Sequence, residues 1–190
     1  MSYSDLKGKT FIVTGAASGM GRTTSLALAK QGANVGLLDL RKPDHVLEEI
    51  VKLGGKALSF ACDVTNRQQV DDAVKTVADE FGGLDGAANM AGYVGNQGFY
   101  GTGYAVDVIK DQDWNLLLNI NLNGVKNSIA AELNNMKGAG SIVNAASIAA
   151  QHGPPYNSPY AVAKAGVVSL TKCTAQEVGP RKIRVNAVAP

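Results

Sequence analysis

The sequence predicts an α/β fold, a doubly wound parallel sheet with helices on both faces, built as a single domain over residues 1–190. Three observations carry this. Short apolar, β-branched runs alternate about six times with longer segments of helical period, the pattern of a parallel sheet covered by helices. Glycine is abundant, 22 of 190 residues, against a usual share of about 7%, which predicts special backbone turns. The length suffices for one substantial core and falls short of two.

Taken in order, the strand runs are TFIVT (10–14), NVGLLD (34–39), KALSFAC (56–62), LDGAAN (84–89), SIVNAA (141–146) and KIRVNAVA (182–189). Near-continuous apolar runs of this kind suit strands buried on both faces. The clearest helix is 66–80, where Val70, Ala73, Val74 and Val77 keep one face apolar while Asp71, Asp72, Lys75 and Asp79 face water. Residues 92–110, GYVGNQGFYGTGYAVDVIK, form a connection long enough to be functional or disordered. No internal repeat, linker or low-complexity segment interrupts the pattern. In such sheets ligands bind at the carboxyl ends of the strands, near the point where strand order reverses.

Composition removes several function classes. Net charge is +2, from 18 basic and 16 acidic residues with no basic block, so no nucleic acid partner is expected. Cys62 and Cys173 make no disulfide framework and no zinc motif, and His45 and His152 have no ligand partners at useful spacing; no metal is expected. The opening stretch carries charges where a signal peptide needs an apolar core, and no apolar run approaches the roughly 18 residues of a membrane span. A cytoplasmic protein with no membrane partner is the expectation.

Two local patterns carry chemistry. After the first strand run comes GAASGMG, with Gly15, Gly19 and Gly21 opening a helix and Ser18 and Met20 between them. Glycines there let backbone approach a pyrophosphate, which the helix N-terminus stabilises. The spacing is G-x-x-x-G-x-G, and a glycine-rich turn without a ligand would look the same. Asp39, ending the second run 18 residues after Gly21, strengthens the dinucleotide reading: it can accept from the adenosine ribose hydroxyls and would repel a 2′-phosphate. The second pattern is SPYAVAKAG (158–166), where Tyr160 and Lys164 stand four apart on one helical face. Such a pair either decorates a solvated surface or meets something in a cleft. A phenol titrates too high to act as a base near neutral pH, and a nearby ammonium favours the phenolate.

Together, TGAASGMG (14–21), Asp63-Val64, NMAG (89–92), NLNG (121–124), SIVNAAS ending at Ser147, YAVAK (160–164) and RVNAVAP (184–190) resemble the short-chain dehydrogenase/reductase family along essentially the whole chain. The stretch LDGAANMAG most resembles fungal members linked to secondary metabolism. The resemblance implies a Rossmann-type, dinucleotide-binding domain with Tyr160 as acid/base, Lys164 as its partner, and Ser147, 13 residues before Tyr160, holding the substrate oxygen. It implies that Asn121 holds a water of the proton relay, with Asn119 and Asn123 close by as competing assignments. Asp63 and Val64 would meet the adenine, and Asn89, Ala91 and Gly92 would line the cofactor near its ribose.

Two departures stand out. Met90 replaces a usual asparagine, which puts a side-chain brace of the central strands in doubt. The family continues after Pro190, a cofactor contact in this reading, with a substrate-covering segment and a final strand, so the C-terminal part is expected to be missing. The expected cofactor is NAD, with NADP as the alternative because Arg41 follows Asp39. The expected activity is hydride transfer between this cofactor and a secondary alcohol or ketone. A ketoreductase of secondary metabolism and a dinucleotide-binding scaffold or redox sensor are the competing readings. Tyr93, Phe99, Tyr100 and Tyr104, with PPYNSP (154–159) opposite, suggest a pocket for an apolar or cyclic substrate, which His152 and Tyr156 could touch. Trp114 reads as core. A homodimer or homotetramer built on helices 112–136 and 158–178 is implied.

Overall fold

The computed structural model describes residues 3–98 and 101–190. Strands β1 (Thr10–Thr14), β2 (Asn34–Asp39) and β3 (Lys56–Ala61) alternate with helices α1 (Gly19–Lys30), α2 (Asp44–Lys52) and α3 (Arg67–Phe81). Next come β4 (Gly86–Asn89), α4 (Asp111–Leu118), a π-helical turn Asn119–Asn123 and α5 (Gly124–Asn135). Then follow β5 (Gly140–Ala145), α6 (Ala149–His152), α7 (Ser158–Val178) and β6 (Ile183–Val188). All six expected strands form within two residues of their expected bounds. They pair in parallel in the order β3-β2-β1-β4-β5-β6. Strand order reverses between β1 and β4, and the crevice opens there.

Successive strand residues point to opposite faces, and the core divides accordingly. Ile12, Leu38 and Ile142 enter a layer with Val74 of α3, Ile129 of α5 and Val167 of α7. Val13, Val35 and Leu37 enter the other layer with Ala29 of α1 and Val46 and Ile50 of α2. Each such side chain, fully withdrawn from water, stabilises the fold by roughly 1.5–3 kcal/mol before entropy is counted. Helix α3 starts one residue later than expected because Asn66 caps it, its side-chain oxygen accepting from Gln69 N–H at 3.2 Å. It stops at Gly82, whose φ of 85° suits glycine.

Candidate active site

The β1–α1 turn is closed by backbone. Gly15 has φ 67°, and a Cβ there would lie 2.8 Å from Ala91 N; a Cβ on Gly21 would lie 2.0 Å from the Gly15 carbonyl oxygen. Any other residue would push the turn away from the loop after β4. Thr14 adds a tie, its hydroxyl oxygen accepting from Ala91 N–H at 3.2 Å. At the end of β2, Asp39 Oδ2 accepts from Ala17 N–H at 3.0 Å, which fixes the acid against the turn. Asp63 Oδ1 accepts from the backbone N–H and the hydroxyl of Thr65, at 2.9 and 2.8 Å.

These pieces wall one cavity of about 600 Å³. Gly15, Ser18, Gly19, Met20 and Gly21 form its floor, Asp39, Asp63 and Val64 one side, and Ala91, Gly92 and Tyr93 the other. Ten of the residues singled out for cofactor binding therefore meet at one place. Arg41 and Cys62 also line it; burial, with Asp63 beside it, pushes the Cys62 thiol up to about 11, so Cys62 is an uncharged wall. A second cavity of about 750 Å³ adjoins it, between α1 and the far faces of β4, β5 and β6, lined by Phe11, Leu28, Ala87 and Val143 among others. None of its lining residues is titratable.

Beyond Gly92 the side chains draw together. Lys164 is 2% exposed, its ammonium donates to Ala145 O at 2.7 Å, and it lies 5.5 Å from the centroid of the Tyr160 ring. A Cβ on Gly92 would come 3.1 Å from Asn121 Oδ1 and 3.5 Å from Lys164 Nζ. Gly92 is thus the point where the cavity wall meets the buried polar groups. Burial lowers the Lys164 ammonium to about 8, still mostly charged at neutral pH. Ser147 is 7% exposed; its oxygen accepts from Ala149 N–H at 3.2 Å and its hydroxyl reaches Pro190 O at 3.4 Å.

Three expectations change. Asn121 is buried in the π-helical turn, but both amide hydrogens are committed, to Tyr93 O at 2.7 Å and Leu117 O at 2.9 Å. Its oxygen accepts from Tyr93 N–H at 3.0 Å. The side chain therefore clamps the loop after β4, and only its oxygen could still take a water. Asn119 and Asn123, the competing assignments, bond to each other on the exposed side at 2.7 Å. Asn89 does not line the cavity. Its side chain turns into the core and donates to Asn144 Oδ1 at 3.0 Å, directly across β4–β5; this supplies the brace that Met90 put in doubt. Pro190 lies against the Ser147 segment, its carbonyl accepting from Ile148 N–H at 3.0 Å, and is not a cavity residue.

The aromatic loop is also different from expectation. Tyr104 is 2% exposed and fills the loop's own interior, because a Cβ on Gly95 would overlap its ring; it is no substrate wall. Tyr93 OH bonds to Asn96 Oδ1, and Phe99 and Tyr100 lie outside the described residues. Trp114 is half-buried and His152 exposed. His45, without metal-ligand partners in the sequence, has its Nε2 2.9 Å from Ala17 O on the glycine turn.

Residues 15–190 match the family described as Enoyl-(Acyl carrier protein) reductase. The chain is 39% identical over 190 residues to the 3-oxoacyl-(acyl-carrier-protein) reductase FabG of Thermotoga maritima, covering 97% of this chain and 74% of that one. It is 38% identical over 188 residues to the short-chain dehydrogenase/reductase ABA4 of Pyricularia oryzae, covering 97% and 69%. The chain belongs to the short-chain dehydrogenase/reductase family. Among solved structures, NAD+-bound xylitol dehydrogenase superposes with a TM-score of 0.88 at 34% identity, covering 97% of this chain and 70% of that one. As a short-chain dehydrogenase/reductase the chain is an NAD(P)-dependent oxidoreductase with a Rossmann-type nucleotide-binding fold. Among the described residues, no helix is long and apolar enough to cross a membrane.

Proposed function

We propose that residues 1–190 are one dinucleotide-binding domain that interconverts a secondary alcohol and a ketone, with NAD as cofactor. The observation that carries this is Lys164, whose buried ammonium stands between the Tyr160 ring and Gly92 of the cavity wall. The cavity suits a dinucleotide: Gly15 and Gly21 let the turn close on the backbone around it, and Asp39 and Asp63 line the wall where they would accept from adenosine hydroxyls and meet the base. Gly15, Ser18, Gly19, Met20, Gly21, Val64, Ala91 and Gly92 would hold it mainly by backbone and shape.

A nicotinamide cofactor bound there would supply the hydride acceptor for oxidation of the carbinol carbon and the hydride donor for reduction of the carbonyl carbon. In oxidation Tyr160 Oη takes the hydroxyl proton, and in reduction it gives that proton back to the carbonyl oxygen. Lys164 favours the phenolate through its charge, an effect enlarged by the dry surroundings. Ser147 donates its hydroxyl proton as a hydrogen bond to the substrate oxygen as charge builds there. That donor now reaches only Pro190 O at 3.4 Å, so turning to substrate costs it little. Asn121 keeps Tyr93, and with it the loop, at the mouth of the site.

NADP is the second reading, favoured by Arg41 at the cavity beside Asp39. We further propose a homo-oligomer built on α4, α5 and α7, where Leu116 and Val162 leave apolar side chains exposed; light scattering returning a monomer would remove it. The activity is tested by screening secondary alcohols and ketones, apolar and cyclic ones first, with NAD and NADP while following reduced-nicotinamide absorbance. Dinucleotide binding without turnover on any of them would leave the scaffold reading instead.

A further inference from the structure

Helix α5 carries an acid where the fold has no use for one. Glu132 is 0% exposed, in phase with Val125 and Ser128 on the buried face. Its Oε2 accepts from Asn89 Nδ2 at 3.2 Å. Asn89 spends its other amide hydrogen on Asn144 Oδ1 at 3.0 Å; Asn144 donates to Thr171 Oγ1 at 3.0 Å, and Thr171 to Val167 O at 2.7 Å. The chain joins α5, β4, β5 and α7 and ends on backbone. Two of its buried oxygens have no partner, Glu132 Oε1 and Asn89 Oδ1. Both belong to the same touching pair of side chains, and leaving two such groups unpaired would cost about 1–3 kcal/mol each.

One proton resolves both. A carboxylic acid can face a carboxamide in a closed pair, its carbonyl oxygen accepting N–H while its hydroxyl donates to the amide oxygen. We propose that Glu132 is a positioning residue held as the neutral acid, its Oε1–H donating to Asn89 Oδ1 and closing an acid–amide pair that fastens the end of β4. The residues directly after Asn89 are Met90, Ala91 and Gly92, the cavity wall. The consequence for dinucleotide binding rests on the functional reading above; the pair itself does not.

Electrostatics agree. Burial pushes the Glu132 carboxyl up to about 8, with the Asn89 hydrogen bond opposing only in part. Charged groups on the elements around α5 are engaged elsewhere or exposed. On α3, Arg67 pairs with Asp71 and Lys75 with Asp79, and Glu80 is exposed. On α7, Lys164 donates to Ala145 O while Lys172 and Glu177 are exposed. Arg181 donates to Leu133 O and Met136 O. Among the described residues, no cation is paired with Glu132.

The sign of the pH effect follows. The unfolded carboxyl titrates at its ordinary 4.5 and the folded one at about 8. Between these values only the folded chain keeps the proton, so the stabilisation is complete below 4.5 and lost as pH rises to about 8. Glu132→Gln keeps an acceptor for Asn89 Nδ2 and a donor for Asn89 Oδ1, and cannot titrate. Relative to that variant, the wild-type unfolding constant should rise by roughly tenfold per pH unit across the window. The two should melt alike near the acid end. Parallel stability curves for the two proteins from pH 5 to 8 would overturn the proposal.

Two measurements need neither cofactor nor substrate. Difference infrared spectroscopy near pH 6 should give a protonated-carboxyl stretch in wild type that Glu132→Gln lacks; its absence in wild type overturns the neutral acid. Amide hydrogen exchange at Ala91 and Gly92, read near pH 5, should match wild type in Glu132→Gln and quicken in Glu132→Leu, which fills the space and drops the pair. Unchanged exchange in the folded leucine variant overturns the positioning role. A wild-type chain that binds no dinucleotide sinks the functional reading and leaves these outcomes intact.

Discussion

In the proposed function, the dinucleotide end of the cavity offers backbone and half-exposed acids. Gly15 and Gly21 lie too close to Ala91 and to each other for any side chain, and Asp39 and Asp63 stand at strand ends, each holding a neighbouring amide. Past Gly92 the groups proposed to react are side chains withdrawn from water. Lys164 is 2%, Ser147 7% and Asn121 0% exposed, and each is bonded to main chain. A binding end needs shape and an accessible charge. A reacting end needs dryness, because the pull of an ammonium on a phenol grows as water is excluded. Damage at the two ends should therefore register in different measurements.

The largest effect belongs to the reacting end. Tyr160→Phe keeps the ring beside Lys164 and removes only the hydroxyl. Turnover should fall roughly 100- to 10,000-fold, the usual contribution of a general acid/base, while dinucleotide affinity by calorimetry stays near wild type. A variant that keeps most of its turnover removes Tyr160 from the mechanism. The counterpart at the binding end is Gly15→Val. Holding a branched residue at φ 67° costs about 1–2 kcal/mol, and its Cβ would meet Ala91 N at 2.8 Å. The fold should lose about that much stability, and the displaced turn should weaken dinucleotide binding, read by calorimetry. If affinity holds and only turnover falls, the division between the two ends is wrong.

The two regions also differed in how openly the sequence declared them. Strands were legible because each is a short apolar run; glycines after β1 and an acid after β2 marked residues that do line one cavity, although a turn without a ligand would have looked the same. Helical spacing set Tyr160 and Lys164 on one face, and only the family resemblance gave them roles. What stayed hidden is the direction in which polar side chains turn. Asn89 sits in a cavity-facing motif, yet its amide points to Asn144; along a strand, alternation sends neighbours to opposite faces. Tyr104 looked like a pocket wall and is loop interior, since a glycine-rich loop lacks side chains of its own to fill it. Glu132 carried a readable signal: with Asn121, Val125 and Ser128 it repeats at spacings of four, three and four on the buried face. A charge among small residues reads as solvent-facing by default, and that habit hid it.

The smallest expected effect tests the binding end by charge alone. Asp39 does two things, because Oδ2 holds Ala17 N–H at 3.0 Å while the carboxylate stands in the cavity near Arg41. Replacement by alanine would remove both together and confuse turn geometry with cofactor choice. Asp39→Asn keeps an oxygen for Ala17 and deletes the charge that opposes a 2′-phosphate. Its melting temperature should stay close to wild type. The ratio of NAD to NADP affinity should shift toward NADP by about tenfold, equivalent to about 1.4 kcal/mol. Raising ionic strength should shrink that shift, since the groups are partly exposed and salt screens them. An unchanged ratio, or a wild-type chain already preferring NADP tenfold, would show that Arg41 and not Asp39 governs the adenosine end.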